Sequence, residues 1–254
     1  MSDLKIDLSG LGMHSGGPDG AGRGPDDSGQ SFSGSGPRKG GRRRWGRRIG
    51  WAAVLACLAI SGPFVLLLRG SVHAHGSWGF GPWGSVGVGL VFATVAAGSG
   101  VWLVSRVLAI PGGLRRLLVR AGMVLGLVFV GYGVLYIGAR NMKGDAVRSE
   151  YRALHPLLRV ASTALVLVDR DAVVTDARRH PDDYLAMGLT PMDASDHYPQ
   201  SDGYVHALDL RTRGRPAWRN RLVEWTFRLM GFRVLRHVGT ADHLHISLPP
   251  RGVA

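Results

Sequence analysis

The residues best suited to chemistry lie in two polar segments near the end of the chain. The first segment contains His197 and Asp209, and the second is the alternating run 243–248. In a strand with that alternation, His243 and His245 project from one face while the intervening leucine and isoleucine side chains face a core. Two histidines and an aspartate brought together by adjacent strands form the ligand set of a catalytic zinc site, which leaves a fourth position for water.

Each of these residues also has a structural interpretation. An acid such as Asp209 in an otherwise apolar strand costs free energy unless it is paired or metal-bound, and we expect it to be a ligand. The alternative for His245 is a strand histidine that faces solvent, and for His197 it is a turn histidine beside Pro199. His206 has the wrong strand parity to join Asp209, and we interpret it as structural.

The order of these residues resembles the motifs of one enzyme family, the VanY-type zinc D-Ala-D-Ala carboxypeptidases. Related L-alanyl-D-glutamate endolysins carry the same motifs, and both groups share a fold with the hedgehog signalling domain. The matching pairs are Ser195-x-His197, Ala207-x-Asp209 and Asp242-x-x-His245. Leu154-His155-Pro156 and the stretch 173–178 look like the family's leading helix and the strand end that follows it. The resemblance covers roughly residues 145–250.

The resemblance implies a metallopeptidase mechanism. His197, Asp209 and His245 would hold zinc, which lowers the pKa of a bound water toward ~7. Asp242 would act as the general base; its alternative is an ordinary turn residue. His243 would polarise the scissile carbonyl or stabilise the oxyanion, or it is a surface partner of the strand.

The same resemblance gives Arg178 the task of binding a substrate carboxylate. The neighbouring Arg179 is an alternative for this role.

One departure from the family pattern affects the predicted site. Eleven residues separate His197 from Asp209, whereas the family has a shorter connection. The extra residues either loop out at 198–203 and leave both ligands in place, or His206 replaces His197. A third alternative is a degenerate site.

Three apolar runs predict a membrane region ahead of this domain. Residues 49–68, 85–104 and 121–139 contain no charged side chain. Each run is close to the ~20 residues that a helix needs to cross a bilayer. The single cysteine, Cys57, lies in the first run, so the C-terminal domain has no disulfide.

The distribution of charge predicts the orientation of the three spans. The net charge is +13; residues 1–140 carry 15 Lys/Arg and 5 Asp/Glu, whereas residues 141–254 carry 16 and 13. The basic excess lies in the disordered tail 1–48 and in the loop 106–120, which belong inside by the positive-inside rule. The loop 69–84 is nearly uncharged and belongs outside, and we give its two histidines no role. Membrane lipid, rather than nucleic acid, is the expected partner of the basic cluster.

The remaining residues, 140–254, predict an α+β domain with a small antiparallel sheet, like that of hedgehog and the D-Ala-D-Ala carboxypeptidases. Helical spacing covers 145–164, with a potential break at Pro156, and two further helices follow at 178–187 and 216–230. Strand-like runs occupy 164–168, 172–175, 204–210, 232–235 and 243–248. Three spans with the tail inside place this domain outside the cytoplasm.

Together these patterns predict an integral membrane protein with a zinc-dependent hydrolase domain in the cell envelope. Its expected substrate is a peptidoglycan stem peptide or a similar cell-wall peptide. The chief alternative is a non-catalytic module that keeps the fold and binds cell-wall peptide or metal. A third hypothesis is a structural membrane protein whose outer domain binds a partner.

Overall fold

Three helices come first in the described part of the chain. The structure, a computed structural model, describes residues 58, 61–108, 110–186, 188, 190, 194–239 and 242–252. Residues 61–76 form α1, and α2 (Pro82–Val107) and α3 (Gly112–Leu135) follow. Prolines stand at the start of α2 and just before α3, where the missing N–H leaves no helical hydrogen bond unmade.

The helices of the structure do not coincide with the predicted apolar segments. Helix α1 continues to residue 76, so the predicted loop 69–84 is a connection of only five residues, 77–81. Helix α3 begins at Gly112 and ends at Leu135, whereas the predicted span was 121–139. Arginine is a good helix former, and the three arginines between 115 and 120 therefore belong to α3 rather than to a loop. The tail 1–48 lies outside the described residues.

Two of these helices, α2 and α3, are long and apolar enough to cross a membrane. The first predicted span, 49–68, begins outside the described residues, and its described part belongs to α1. The 77–81 turn and the C-terminal end of α3 lie next to the rest of the chain. The Gly252 N–H donates to the Gly76 carbonyl over 2.8 Å, and the Tyr151 hydroxyl donates to the Gly133 carbonyl over 2.9 Å.

A smaller α+β part follows α3. Its helices are α4 (Asp145–Ser149), α5 (Pro156–Val168), α6 (Pro181–Ala186) and α7 (Ala217–Leu229). Its strands are β1 (Val174–Asp176), β2 (Ala207–Arg211), β3 (Arg233–His237) and β4 (His243–Ser247). The predicted split at Pro156 is present, and the apolar run 164–168 is the end of α5 rather than a strand.

The four strands form one antiparallel sheet in the order β1-β2-β4-β3. Alternation along the strands gives the sheet two different faces. One face is apolar and buried, with Leu208, Leu244 and Ile246 at its centre. The other face carries the polar residues of the predicted site, because Asp209 lies opposite His245 in the register of β2 and β4.

The helices and the sheet share one hydrophobic core. Buried side chains from α1, α3, α5, α7 and the apolar sheet face belong to a single continuous cluster. Leu68 in α1, Val134 in α3 and Phe227 in α7 are all members. Helix α5 is almost entirely buried, and its Arg159 guanidinium donates to the Val134 carbonyl over 2.9 Å. The α+β part is thus completed by α1 and α3 rather than attached to them by a linker.

Candidate metal centre

The structure brings His197, Asp209 and His245 together on the polar face of the sheet. The Nδ1 atom of His245 lies 3.0 Å from Oδ1 of Asp209 and 3.2 Å from Nε2 of His197. Nε2 of His197 is 3.3 Å from the same Asp209 oxygen. Three donor atoms from three separate chain segments therefore surround one point.

Strand pairing sets the positions of two of these residues, and a loop sets the third. Asp209 and His245 are direct cross-strand partners on β2 and β4. His197 precedes a turn in which Gln200 N–H donates to the Tyr204 carbonyl and Gly203 N–H donates to that of Gln200. The extra residues between His197 and Asp209 are thus looped out, and His206 is not part of this cluster.

The His197 ring is held by its neighbours. Its Nδ1 donates to the Ala177 carbonyl oxygen over 2.5 Å, so Nε2 is directed at Asp209 and His245. Its backbone N–H donates to Oγ of Ser195, which is itself 2.7 Å from the Tyr184 hydroxyl. Histidines that bind metals are commonly oriented in this way through the second ring nitrogen.

Contacts with Arg179, His197 and His245 keep the Asp209 carboxylate ionised and oriented. Arg179 donates to Oδ2 of Asp209 over 2.7 Å and to Asp176 over 2.7 Å. Burial alone would raise the pKa of Asp209, but hydrogen bonds from His197 and His245 outweigh burial and hold that pKa well below its usual range. Burial would lower the pKa of Arg179, but the two aspartates raise it above its ordinary value. Oδ1 of Asp209 is thus left to face the two imidazoles.

The donor set fits a zinc ion. In a tetrahedral site with zinc–ligand bonds of about 2.0 Å, neighbouring ligand atoms lie about 3.3 Å apart. The three distances of 3.0, 3.2 and 3.3 Å agree with that spacing. His197 and Asp209 are 3% exposed, whereas His245 is 20% exposed, so the cluster is accessible from one side. Three ligands with an accessible side are typical of catalytic rather than structural zinc sites.

His243 lies beside the three donors. Its Nε2 is 3.5 Å from Oδ2 of Asp209, and its ring stacks on His237 with centroids 4.7 Å apart. His237 is its direct partner on β3, so both rings project from the polar face of the sheet. Burial, followed by the charge of His243, lowers the pKa of His237. His243 therefore lies next to the cluster, on the same face of the sheet as its ligands.

Asp242, predicted as the general base, is not brought to this cluster. It accepts a hydrogen bond from the Thr212 hydroxyl over 2.7 Å and pairs with Arg236 at 3.1 Å. Arg236 lies opposite Leu244, on the sheet face turned away from His245. To share the sheet face of His245, Asp242 would need a kink in the chain before β4, because a residue three positions earlier on a straight strand faces the other way.

Arg178, predicted to bind a substrate carboxylate, lines a groove of about 460 Å³. Its Nε atom has no hydrogen-bond partner in the described part of the chain. Lys143 and Arg179 line the same groove, and Arg179 connects it to Asp209. Glu150, Asp176 and Asp183 also line this groove, so it carries charges of both signs.

Sequence reasoning did not assign Asp176, His237 or Tyr184 to the site. Asp176 is the β1 partner of Asp209, and Tyr184 supports Ser195 as described above. The pairing of β1 with β2 and of β3 with β4 places Asp176 and His237 at the site. Strands this short do not determine that pairing from the sequence.

The chain matches no protein-family model, and no curated protein and no solved structure is significantly similar to it.

Proposed function

We propose that this protein is a membrane-anchored zinc peptidase that acts on peptidoglycan stem peptides or similar peptides of the cell envelope. The observation that carries the proposal is the cluster of His197, Asp209 and His245, with its tetrahedral donor spacing and one accessible side. The resemblance of the motifs around these residues to the VanY-type carboxypeptidases supplies the reaction class.

The residues around the cluster have separate tasks in this proposal. Zinc, when bound, would polarise a peptide carbonyl and make a water molecule more acidic. Ala177 fixes the His197 ring, and Arg179 keeps Asp209 ionised. Arg178 binds a carboxylate of the peptide, because it lines the groove that Arg179 connects to the cluster, and its Nε atom has no hydrogen-bond partner among the described residues.

We assign proton transfer to His243 rather than to Asp242. His243 shares the sheet face of the ligands and is 22% exposed, so it can exchange protons with solvent. Asp242 is engaged by Thr212 and Arg236 on the other face. A general acid or base must come within hydrogen-bonding reach of the reacting atoms. Of the two residues, His243 is the one beside the cluster, with Nε2 3.5 Å from Oδ2 of Asp209.

The proposed membrane anchor consists of α1, α2 and α3. The exposed surface of α7 supports this arrangement, because Trp218, Leu222, Trp225 and Leu229 form a stripe that is 60–67% exposed along one side of the helix. A groove of about 810 Å³ separates α7 from Phe64 of α1 and Phe129 of α3, so the stripe borders the proposed spans. Tryptophan and leucine with nearby arginine are typical of a helix that lies in the membrane interface.

The proposal includes an orientation of the spans in the membrane. The arginines of α3 at 115, 116 and 120 lie at the end opposite the α+β part. By the positive-inside rule this end faces the cytoplasm, and the zinc cluster then faces the cell envelope. A reporter fused after residue 252 should be active only outside the cytoplasm; activity inside would contradict the orientation.

The test of the enzyme uses the full chain purified in detergent. Its zinc content and its cleavage of acylated D-Ala-D-Ala and L-Ala-D-Glu peptides are measured together. We expect both metal-dependent cleavage and its loss in His197→Ala. If the zinc-loaded chain releases no product from any such peptide, the peptidase proposal fails.

One observation favours a second candidate function, a module that binds cell-wall peptide without cleaving it. Asp242, the base that the family motif would supply, is turned away from the cluster. Zinc binding and saturable peptide binding without hydrolysis would identify this function.

A further inference from the structure

A second cluster of metal-ligating side chains lies between α1 and the α+β part. It consists of His75, His155, Asp202 and His206, whose donor atoms lie within 4.8 Å of one another. His75 is near the end of α1, His155 precedes α5, and the other two lie in the loop before β2. None of the four belongs to the cluster around Asp209.

The histidines of this cluster are buried without enough hydrogen-bond partners. His75 and His155 are both 0% exposed. Neither ring nitrogen of His75 reaches hydrogen-bonding geometry with any described group, and Nε2 of His155 does not either. A buried polar atom left without a partner destabilises the fold, and three such atoms at one point indicate that something binds there.

Asp202 supplies the negative charge at this point. Its two oxygens are each 3.0 Å from Nε2 of His206, and Oδ2 is 3.9 Å from Nε2 of His155. The Tyr204 N–H and Arg251 also donate to the carboxylate, over 3.1 and 3.0 Å. Carboxylates that bind metals are commonly held by such additional hydrogen bonds.

We propose that His75, His155, Asp202 and His206 bind a transition-metal ion of the zinc class. Three imidazoles and one carboxylate complete a tetrahedral shell with no position left for a substrate. The separations of 3.0 and 3.9 Å bracket the spacing of about 3.3 Å expected around zinc. The site is therefore structural, in contrast to the accessible cluster at Asp209.

Metal binding at this point has one identifiable cost. Nδ1 of His155 accepts the Leu157 N–H over 3.2 Å and caps α5, whereas coordination through Nε2 moves the ring proton to Nδ1. The loss of one helix cap is small beside the binding free energy of a structural zinc site.

The proposed ion joins the first helix to the α+β part. His75 comes from α1, and His206 leads directly into β2, the strand that carries Asp209. The His206 backbone carbonyl also accepts the Leu248 N–H over 2.9 Å, next to the end of β4. The metal would therefore fix α1 against both central strands of the sheet.

The test measures zinc in variants of the full chain in detergent. His245→Gln removes a ligand from the first cluster, and this variant should still bind one zinc per chain with a rise in melting temperature on zinc addition. Adding His75→Gln to it should abolish that binding and that rise. Replacing zinc by cobalt in His245→Gln should give the visible absorption of a tetrahedral cobalt site.

His73→Gln is the matched control, since His73 lies two residues earlier in α1 and is exposed. Combined with His245→Gln, it should leave one zinc bound. The inference is overturned if the His245→Gln chain binds no zinc, or if adding His75→Gln leaves its zinc content unchanged. Because His245→Gln is compared with its own double variants, either outcome is independent of whether the chain is a peptidase.

Discussion

Replacing His243 with alanine should lower peptide hydrolysis about 10²–10⁴-fold while zinc remains bound, because general acid–base catalysis contributes that much. This loss corresponds to about 2.7–5.5 kcal/mol of barrier, at 1.36 kcal/mol per tenfold. His243 lies 3.5 Å from Asp209 but is not one of the three closely spaced donors. Its removal therefore takes away a proton-transfer group without taking away a metal ligand.

The neighbouring variant Asp242→Ala should have the opposite effect, with hydrolysis and zinc content close to those of the unmodified chain. It breaks the hydrogen bond from Thr212 and the ion pair with Arg236, on the far side of the sheet. We expect a loss of about 1–2 kcal/mol in stability, since a hydrogen bond to a charged group is worth about 1.5–3 kcal/mol and a partly exposed ion pair less than about 1. The pKa of Asp242 is lowered by the hydrogen bond from Arg236 and then by Thr212, so this stabilisation is present at neutral pH and declines as pH falls below the usual aspartate range.

The assay compares kcat/KM, zinc content and melting temperature for the two variants in the same detergent. If Asp242→Ala instead loses hydrolysis with zinc retained, the base is Asp242 as the family motif implies, and the assignment from sheet geometry is refuted. Full activity in His243→Ala would refute it equally.

Three further predictions concern the metal and the helices. His245→Ala should reduce zinc affinity at the first cluster by orders of magnitude, as measured by competition with a chelator, and unchanged affinity would exclude the cluster as a metal centre. Gly89→Ala should destabilise the helical region, because an added Cβ would lie 2.2 Å from the Leu67 carbonyl oxygen, whereas Gly87→Ala meets open space and should unfold at the original temperature. Replacing Trp218 and Trp225 with serine should remove the share of the fluorescence quenching by brominated lipids that comes from α7, while Trp83 and Trp102 of α2 stay quenched; an unchanged quenched intensity would show that α7 is not at the membrane.

Structure could be predicted best from the sequence where the side chains of one element follow a regular spacing. The alternation from His243 to Leu248 gives both the strand β4 and the common face of its two histidines, because side chains in a strand alternate by geometry alone. Helix α7 was also predicted well, since Pro216 and Gly231 mark its ends and Gly231 adopts a φ of 97°.

The sequence predicted least where tertiary contacts decide. His75 was read as a loop residue because the apolar run stops at 68, yet α1 continues to 76 and buries that histidine against His155. A helix end is fixed there by packing, which no local pattern encodes. The orientation of Asp242 was missed for the same reason, since it depends on contacts with Thr212 and Arg236 from two other segments.

The core shared by the helices and the sheet has a consequence for biosynthesis. Leu68, Val134 and Leu248 belong to one buried cluster, although they are distributed from α1 to the end of the chain. The sheet can bury its apolar face fully only after α1 and α3 are in place, and β4 follows both helices along the chain. Folding of the α+β part is thus coupled to correct placement of the helices, and a chain in which they are misplaced exposes both surfaces to aggregation and to cellular proteases.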